Sequence, residues 1–376
     1  MAGKPTVWTF EKVFYGTKGP LNLKQVRAYL THGYCLIPHT LFEGYYKAVC
    51  RTGNHDDLYR QIQRPFPDGL IAQKPEGKFA LHFSGGYDSS ILAKLYDRPD
   101  ADYIHFTGPE SEKARALAAT LEGTLHEIQV TPADFIETAD ALVGRLSEPY
   151  AFEDIVFAYI ASKKAKELGH TLIVAGDGGD GVLGGYDTGP YSRKSVVVWK
   201  TIEPNQLLGL QTLQPYMHSG PYAWSKASLD PKDVARDKRF ARDFCRELGM
   251  PEVVIEGRKV PWAGSIGMRD NDEITAHLRS TVQNSGHQWV TEFEFSAPPR
   301  PGLLFRQYSL VKWLEVNYKA KLDSDEARAL SDNIRLLNAI DAQRAQHERT
   351  EGRLRYLFPS FALHAARRLQ RLISAG

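Results

Sequence analysis

Short apolar runs and helix-like stretches alternate along the middle of the chain, between residues 78 and 185. The apolar runs are bounded by turn residues and have the length of buried strands, whereas the intervening stretches repeat apolar residues at helical spacing. Such alternation predicts an α/β fold in which helices cover both faces of a parallel sheet, with ligands bound at the carboxyl ends of the strands. The predicted strands are 79–83, 103–106, 125–130 and 171–175, and the predicted helices are 89–96, 110–121, 132–146 and 155–168.

The alternation is missing from both ends of the chain. The first 75 residues contain one helix-like stretch at 21–30, while four helices are predicted near the end of the chain, at 273–282, 304–320, 325–348 and 361–373. The last of these carries an apolar stripe and a basic face, which can pack on its own domain or bind a membrane, a nucleic acid or a partner. We therefore predict a short N-terminal segment (1–75), a central domain (76–270) and a helical C-terminal extension (271–376).

Composition and net charge favour a soluble globular protein over one that binds nucleic acid or a membrane. With 376 residues, 42% hydrophobic and 24% charged, the chain has the usual make-up of a soluble globular protein. A formal net charge of +2 provides no overall attraction for a polyanion, so a nucleic-acid partner is not expected. The three cysteines form no Cys-x-x-Cys pair and are predicted to be reduced thiols. Without a signal peptide or a membrane-length apolar run, we expect a cytoplasmic protein that does not enter a membrane.

The first predicted strand runs into the turn 84–90, SGGYDSS, which opens the next helix. The first amides of a helix have no intrahelical partner, and its dipole adds positive charge, so this junction suits a phosphate. A carboxylate at Asp88 fits beside phosphates when a cation such as Mg²⁺ bridges them. An ordinary glycine-rich turn with a helix-capping serine is the alternative. The predicted nucleotide-binding residues here are Phe83, Ser84, Gly85, Gly86, Asp88, Ser89 and Ser90.

A second glycine-rich segment follows the last predicted strand. Residues 175–186 contain six glycines and two aspartates, a composition that predicts a loop without packed secondary structure. At the carboxyl edge of the sheet, Asp180 would face Asp88, and this pair is our predicted Mg²⁺ site; a flexible turn with solvated aspartates is the alternative. The same edge should add Phe106, Thr107 and Gly176 to the nucleotide site.

These two segments also carry a family resemblance. SGGYDSS resembles the PP-loop of ATP pyrophosphatases, and together with GDGGD at 176–180 it closely resembles the synthetase domain of asparagine and β-lactam synthetases. The resemblance implies binding of ATP and Mg²⁺, transfer of AMP to a carboxylate and release of pyrophosphate. It also implies a catalytic role for Asp177 toward the attacking amine or the adduct, with turn capping as the alternative. Gly181 replaces the glutamate usual in the family, which we interpret as altered substrate surroundings with metal binding retained.

Two later stretches extend the resemblance. Residues 213–219 resemble the proline-aromatic segment that lines the acceptor site, and residues 253–262 resemble a segment whose lysine contacts phosphate. This implies that Lys259, after a strand-like apolar run, stabilises charge on the phosphates during catalysis. A solvated basic pair, Arg258 and Lys259, is the alternative.

The N-terminal stretch 23–44 resembles the end of a glutaminase domain, and Ala2 stands where a glutaminase would need its cysteine nucleophile. The expected enzyme is therefore an ATP-dependent carbon–nitrogen ligase without its own glutaminase activity. It would join a small-molecule or peptide carboxylate to an amine or ammonia, with a separate ammonia- or substrate-delivering protein as a further option. The alternatives are a macrolactam or β-lactam-type cyclase of natural-product biosynthesis, a tRNA-modifying PP-loop ATPase and a non-catalytic nucleotide-binding scaffold. The sequence leaves the carboxylate, the amine and the oligomeric state open.

Overall fold

A computed structural model describes residues 20–33, 35, 40–43, 66–183, 199–218, 238–257, 271–295, 302–318 and 324–357. The predicted helix at 361–373 and the predicted phosphate contact Lys259 lie outside these ranges. None of the helices within them is both long enough and apolar enough to span a membrane.

The centre of the fold is a parallel sheet of five strands in the spatial order β3-β2-β1-β4-β5. The chain leaves β1 toward β2 and β3 on one side and then returns to place β4 on the other side of β1. The strand order therefore reverses between β1 and β4, and the crevice at such a reversal is the usual ligand site of an open α/β sheet. The strands are β1 (Phe79–His82), β2 (Ala101–Phe106), β3 (Thr124–Ile128), β4 (Leu172–Val174) and β5 (Gln211–Leu213).

Helices connect and cover the strands, and their positions confirm the predicted α/β fold with a helical C-terminal part. Among the described residues, the 3₁₀ segments Val143–Arg145, Pro215–His218 and Gln288–Glu292 accompany them. The described helices are α1 (Leu23–His32), α2 (Asp68–Ile71), α3 (Tyr87–Tyr96), α4 (Ser111–Ala118), α5 (Pro132–Leu142), α6 (Asp154–Glu167), α7 (Gly179–Leu183), α8 (Trp199–Leu207), α9 (Arg239–Glu247), α10 (Glu252–Ile255), α11 (Asp272–Asn284), α12 (Leu303–Asn317) and α13 (Ser324–Leu357).

Two predicted elements were wrong in type. The glycine-rich segment 175–186 is not all loop, because α7 begins after a left-handed turn at Gly178 (φ 87°) and buries Val182 and Leu183. The strand-like run after Pro251 is the short helix α10, which buries Val254 and Ile255. Apolar runs this short are compatible with either element, so tertiary packing decides between them.

Alternate residues of β1 enter different hydrophobic clusters, which places the sheet between two cores. Phe79 and Leu81 pack in one cluster with residues of α3, α9 and α10, whereas Ala80 packs in the other with residues of α5, α6 and α12. This period of two is expected for a strand. Because all four residues of β1 are buried, the sheet is covered on both faces, as predicted.

His82, the last residue of β1, is a buried polar side chain within this core. Its Nε2 lies 3.0 Å from Ser162 Oγ of α6. Burial lowers the pKa of His82 to about 3, and the positive charge of Lys200 adds to the effect. The folded protein thus holds this imidazole neutral at pH values where an exposed histidine is protonated.

Acid should therefore destabilise the fold through His82. The unfolded chain takes up a proton near pH 6.5 and the folded chain only near pH 3, so stability is complete above pH 6.5 and falls below it. We expect this residue to remove up to about 1.4 kcal/mol of unfolding free energy per pH unit within that window. Urea denaturation between pH 7.5 and 5.5 measures the slope, which His82→Gln should reduce and a change at exposed His32 should not. Equal slopes for wild type and His82→Gln would contradict the assignment.

Candidate active site

The loops after β1 and β4 meet where the strand order reverses. A Cβ at Gly179 would lie 2.7 Å from both Cβ and Cγ of Asp88, and one at Gly176 would lie 3.3 Å from the Ser89 amide nitrogen. Contacts this short leave no room for a side chain at residue 179, so glycine is required for the loops to approach. The predicted residues of both glycine-rich segments are thereby brought together.

Hydroxyl groups hold the turn that follows β1. Gly85 adopts φ 79°, and the Gly86 N–H donates to Ser84 Oγ at 3.2 Å. The Ser84 N–H donates to Ser89 Oγ, and the Ser89 hydroxyl donates to the Gly86 carbonyl, each at 3.1 Å. A Cβ at Gly85 would lie 3.2 Å from the Glu110 carbonyl oxygen, so the residue preceding α4 rests against this turn. The turn is therefore closely supported at the start of α3.

Several predicted nucleotide contacts are buried instead of facing the crevice. The side chains of Phe83, Ser90 and Phe106 are within the core, with residue exposures of 0%, 0% and 2%. Phe83 presents a carbonyl that accepts from His105 Nδ1 at 2.9 Å, and Phe106 packs its ring against Phe157. Thr107 is exposed at the carboxyl end of β2. Their nucleotide contacts remain predictions, and for the buried side chains they would have to involve main-chain atoms.

The two predicted metal ligands share a lysine ammonium group. Lys238 Nζ lies 3.1 Å from Asp88 Oδ1 and also forms an ion pair with Asp180 Oδ1. Lys238 immediately precedes α9, has a left-handed backbone (φ 49°) and is 9% exposed. We call Asp88, Asp180 and Lys238 the metal side of the site. Sequence reasoning missed Lys238, because a single basic residue before a helix carries no distinctive signal.

This arrangement is compatible with Mg²⁺. No group of three or more His, Cys, Asp or Glu side chains suited to a metal occurs in the part of the chain that the structure describes. Mg²⁺ does not need such a group, since it commonly binds one or two carboxylates together with substrate phosphates and water. Asp88 and Asp180 already converge on one positive charge, so the donor set fits a cation of this type.

The segment after β5 supports the metal side. The Tyr216 hydroxyl donates to the Asp88 carbonyl at 2.8 Å. Burial, followed by the charge of Asp88, raises the pKa of Tyr216 well above its ordinary value, so the phenol remains a donor. Tyr216, within the segment for which the resemblance implied an acceptor site, thus also contacts the first loop.

Asp177 is the centre of a second group of charges. Its Oδ2 accepts from Thr201 Oγ1 and, at 3.0 Å, from Gln214 Nε2, while Lys200 Nζ lies 3.4 Å from Oδ1. Lys200 Nζ is also 3.7 Å from Oδ2 of Asp154, the first residue of α6. We call Asp154, Asp177 and Lys200 the acceptor side. Both oxygens of Asp177 are engaged, so the side chain ties the loop after β4 to α8 and to the end of β5.

The segment leading to Lys259 is anchored to the first loop. The Tyr87 hydroxyl donates to the Ile255 carbonyl at 2.6 Å. A Cβ at Gly257 would lie 2.2 Å from Lys113 Cε, so residue 257 touches α4, and Lys113 pairs with Glu110 at 2.8 Å. The role of Lys259 itself remains a prediction.

Comparison with known proteins identifies the region that carries both sides of the site. Residues 74–248 match the family model described as asparagine synthase. The matched region is similar to an asparagine synthase domain. It contains all five described strands and every residue of the metal and acceptor sides, whereas α10 to α13 lie beyond it.

Two curated relatives resemble part of the chain. An asparagine synthetase (glutamine-hydrolyzing) from Zea mays is 27% identical over 126 residues, which are 29% of this chain and 21% of that protein. One from Sandersonia aurantiaca is 25% identical over 155 residues, which are 33% of this chain and 27% of that protein. The chain thus spans only 21% and 27% of these relatives' lengths, so the likeness concerns a part of each relative and not the whole protein.

Proposed function

We propose that this protein is an ATP-dependent carbon–nitrogen ligase that activates a carboxylate as its adenylate and transfers it to an amine or ammonia. The observation that carries the proposal is the convergence of Asp88 and Asp180 on one cation at the reversal of the sheet. A pair of carboxylates at that edge suits a phosphate-bound metal ion. The match to the asparagine synthase family supports the same reaction class.

The proposed reaction has two steps. First, a carboxylate oxygen of the substrate bonds to the α-phosphorus of ATP while the bond from that phosphorus to the β-bridging oxygen breaks, which releases pyrophosphate. Second, a neutral amine nitrogen bonds to the acyl carbon while the carbon–oxygen bond to AMP breaks. The amide, AMP and the protons lost by nitrogen are the products. Activation is needed because a free carboxylate is a poor acyl donor, whereas AMP is a good leaving group.

The metal side would serve the first step. Asp88 and Asp180 would hold Mg²⁺, which supplies positive charge to the phosphate oxygens when bound. Lys238 would then leave the shared position and face the same phosphates as a compact cation. In this scheme Lys259 adds a second ammonium that acts as charge shifts onto pyrophosphate.

The acceptor side would serve the second step. Asp177 would orient the attacking nitrogen or accept its proton, a function worth about 10²- to 10⁴-fold for a positioned base. Its hydrogen bonds from Thr201 and Gln214 would fix the direction of the carboxylate. Lys200 would hold Asp177 and Asp154 together by charge.

Oxygen transfer from the substrate tests the proposed chemistry most directly. Carboxylic acids labelled with ¹⁸O, each with and without an amine, should give acid-dependent pyrophosphate release and leave one ¹⁸O in AMP. Mass spectrometry of AMP and of the product detects both outcomes and also shows whether the amide forms within one molecule or between two. Formation of ADP and phosphate, or of AMP without ¹⁸O, would contradict the proposal.

A further inference from the structure

A buried histidine, His105 of β2, lies between the loops that follow β1 and β2. Its residue exposure is 2%. Tyr103, two residues earlier on the same strand, packs in the hydrophobic cluster that also contains Phe83 and residues of α3 and α4. Side chains on one face of a strand recur every second residue, so His105 shares that face with Tyr103. The imidazole is thus on the side of the sheet where α3 starts from the predicted phosphate-binding turn.

The first contact of His105 holds the residue that precedes this turn. His105 Nδ1 lies 2.9 Å from the Phe83 carbonyl oxygen. A carbonyl oxygen only accepts hydrogen bonds, so the proton of the neutral imidazole is on Nδ1. The Phe83 N–H donates to the Ile104 carbonyl at 2.8 Å. Strand β2 therefore binds both main-chain polar groups of Phe83, one of them through the His105 side chain.

The second contact reaches the helix beside the turn. His105 Nε2 lies 3.0 Å from Oγ of Ser111, the first residue of α4. The Gly108 N–H donates to the same oxygen at 2.8 Å. Burial lowers the pKa of His105 below that of an exposed histidine, so Nε2 carries no proton near pH 7 and accepts from the Ser111 hydroxyl. One imidazole thus joins the end of β1 to the start of α4.

The start of α4 in turn supports the middle of the phosphate-binding turn. A Cβ at Gly85 would lie 3.2 Å from the Glu110 carbonyl oxygen and 3.4 Å from the Ala114 amide nitrogen. A displacement of α4 would therefore be transmitted to the turn. Through its two contacts, His105 holds the strand end that leads into the turn and, by way of Ser111, the helix on which Gly85 rests.

We propose that His105, with its proton on Nδ1, is a positioning residue for ATP. The inference rests on the proposed function, in which the turn at residues 84–90 binds the phosphates. A turn at a helix start binds phosphate through several main-chain N–H groups, whose directions are set by the backbone. A small shift of that backbone weakens several hydrogen bonds to phosphate at once, so the residue that fixes it affects the affinity for the nucleotide. His105 itself would touch neither ATP nor Mg²⁺.

A histidine that only stabilises the core is the alternative, and a second histidine provides the comparison. His82 of β1 is also buried, and its Nε2 lies 3.0 Å from Ser162 Oγ, the same distance as between His105 and Ser111. Ser162 belongs to α6, whose buried apolar residues pack in the other hydrophobic cluster. The two serines make the same kind of contact, but that of Ser111 leads to the turn, whereas that of Ser162 leads to the opposite face of the sheet.

The test measures binding of a nucleotide that cannot react between its α- and β-phosphates. Isothermal titration calorimetry with Mg²⁺ and α,β-methylene-ATP gives Kd for the full-length protein and its variants. Ser111→Ala removes the donor to His105 and the acceptor for Gly108, so Kd should rise about tenfold, as expected for a lost buried hydrogen bond. Ser162→Ala should also lower the melting temperature but leave Kd within about twofold of wild type, because distant sites act independently.

Changes at the histidine separate its two contacts. His105→Asn can retain a donor toward the Phe83 carbonyl but has no group in place of Nε2, so its Kd should also rise about tenfold. The double variant with Ser111→Ala should bind no more weakly than either single variant, because both changes break the same contact. His105→Leu removes both contacts and should raise Kd further. If Ser111→Ala fails to fold, the comparison of His105→Asn with Ser162→Ala makes the same test.

The outcomes distinguish this inference from the proposed function. If the wild type binds the nucleotide and Ser111→Ala and Ser162→Ala have the same Kd, His105 is not a positioning residue. Additive losses in the double variant would also overturn the inference, since the serine would then act independently of the histidine. The expected order of Kd values without acid-dependent pyrophosphate release would contradict the ligase reaction and leave the role of His105 standing. If the wild type does not bind the nucleotide, both proposals fail.

Discussion

Asp88→Asn and Asp180→Asn should each lower the rate of pyrophosphate release by at least about 100-fold. Loss of a residue that only supports a metal ligand costs about 10- to 100-fold, and these two residues are proposed to bind the metal directly. Each amide keeps the size of the side chain but removes a negative charge from the pair that shares Lys238. The loss should be smaller at high Mg²⁺ concentration, because weakened metal binding is opposed by mass action. Pyrophosphate release measured across a Mg²⁺ titration checks this.

The matched control is Asp243→Asn. Asp243 is a residue of α9 whose side chain is 49% exposed and pairs with Arg246 and not with the metal side. Its change to asparagine should alter the rate by less than about twofold, since exposed ion pairs contribute little. Near wild-type rates for Asp88→Asn or Asp180→Asn at every Mg²⁺ concentration would show that the assigned residue does not bind the metal.

Lys238→Met should destabilise the ligand-free protein and make its stability depend on Mg²⁺. The change removes the ammonium shared by two carboxylates whose side chains are 17% and 27% exposed. Breaking a buried ion pair lowers the free energy of unfolding by several kcal/mol. Because these two carboxylates are partly exposed, we expect a loss of about 1 to 2 kcal/mol. Mg²⁺ alone should restore much of this loss, because it can occupy the position of the ammonium. Urea denaturation with and without Mg²⁺ measures both effects.

Lys78→Met provides the comparison for this second prediction. Lys78 lies 4.0 Å from Asp102 near the amino end of β1, on the edge of the sheet opposite the metal side, and its side chain is 47% exposed. Its loss should change stability little, with no added dependence on Mg²⁺. If Lys238→Met has wild-type stability and the same response to Mg²⁺, the interpretation that Mg²⁺ can replace the Lys238 ammonium between Asp88 and Asp180 is wrong.

The parallel α/β core was predictable because its signals are local. Phe79–His82 is an uninterrupted apolar run apart from its last residue, and SGGYDSS opens a helix directly after it. Pattern and turn residues of this kind are determined by neighbours in the chain, so they remain readable without tertiary information. The convergence of Asp88 and Asp180 followed from one further rule, that parallel strands end at a common edge.

Other elements could not be predicted from local patterns. Strand β5 is three residues long and lies at the edge of the sheet, and α7 is a helix despite its glycines. The apolar run before Lys259 became a helix instead of a strand. In each case the segment is too short for its own periodicity to decide, and packing against the sheet or the first loop determines its structure.

The sequence by itself determined the fold class, the two glycine-rich segments and the family that they resemble. Only the tertiary structure brought Lys238 to Asp88 across 150 residues of chain, joined Asp177 to Thr201 and Gln214, and placed His105 between the Phe83 carbonyl and the Ser111 hydroxyl. The physical reason is that a strand or a turn depends on residues close in sequence, whereas an ion pair or a buried hydrogen bond depends on which distant groups the fold places within a few ångströms of each other.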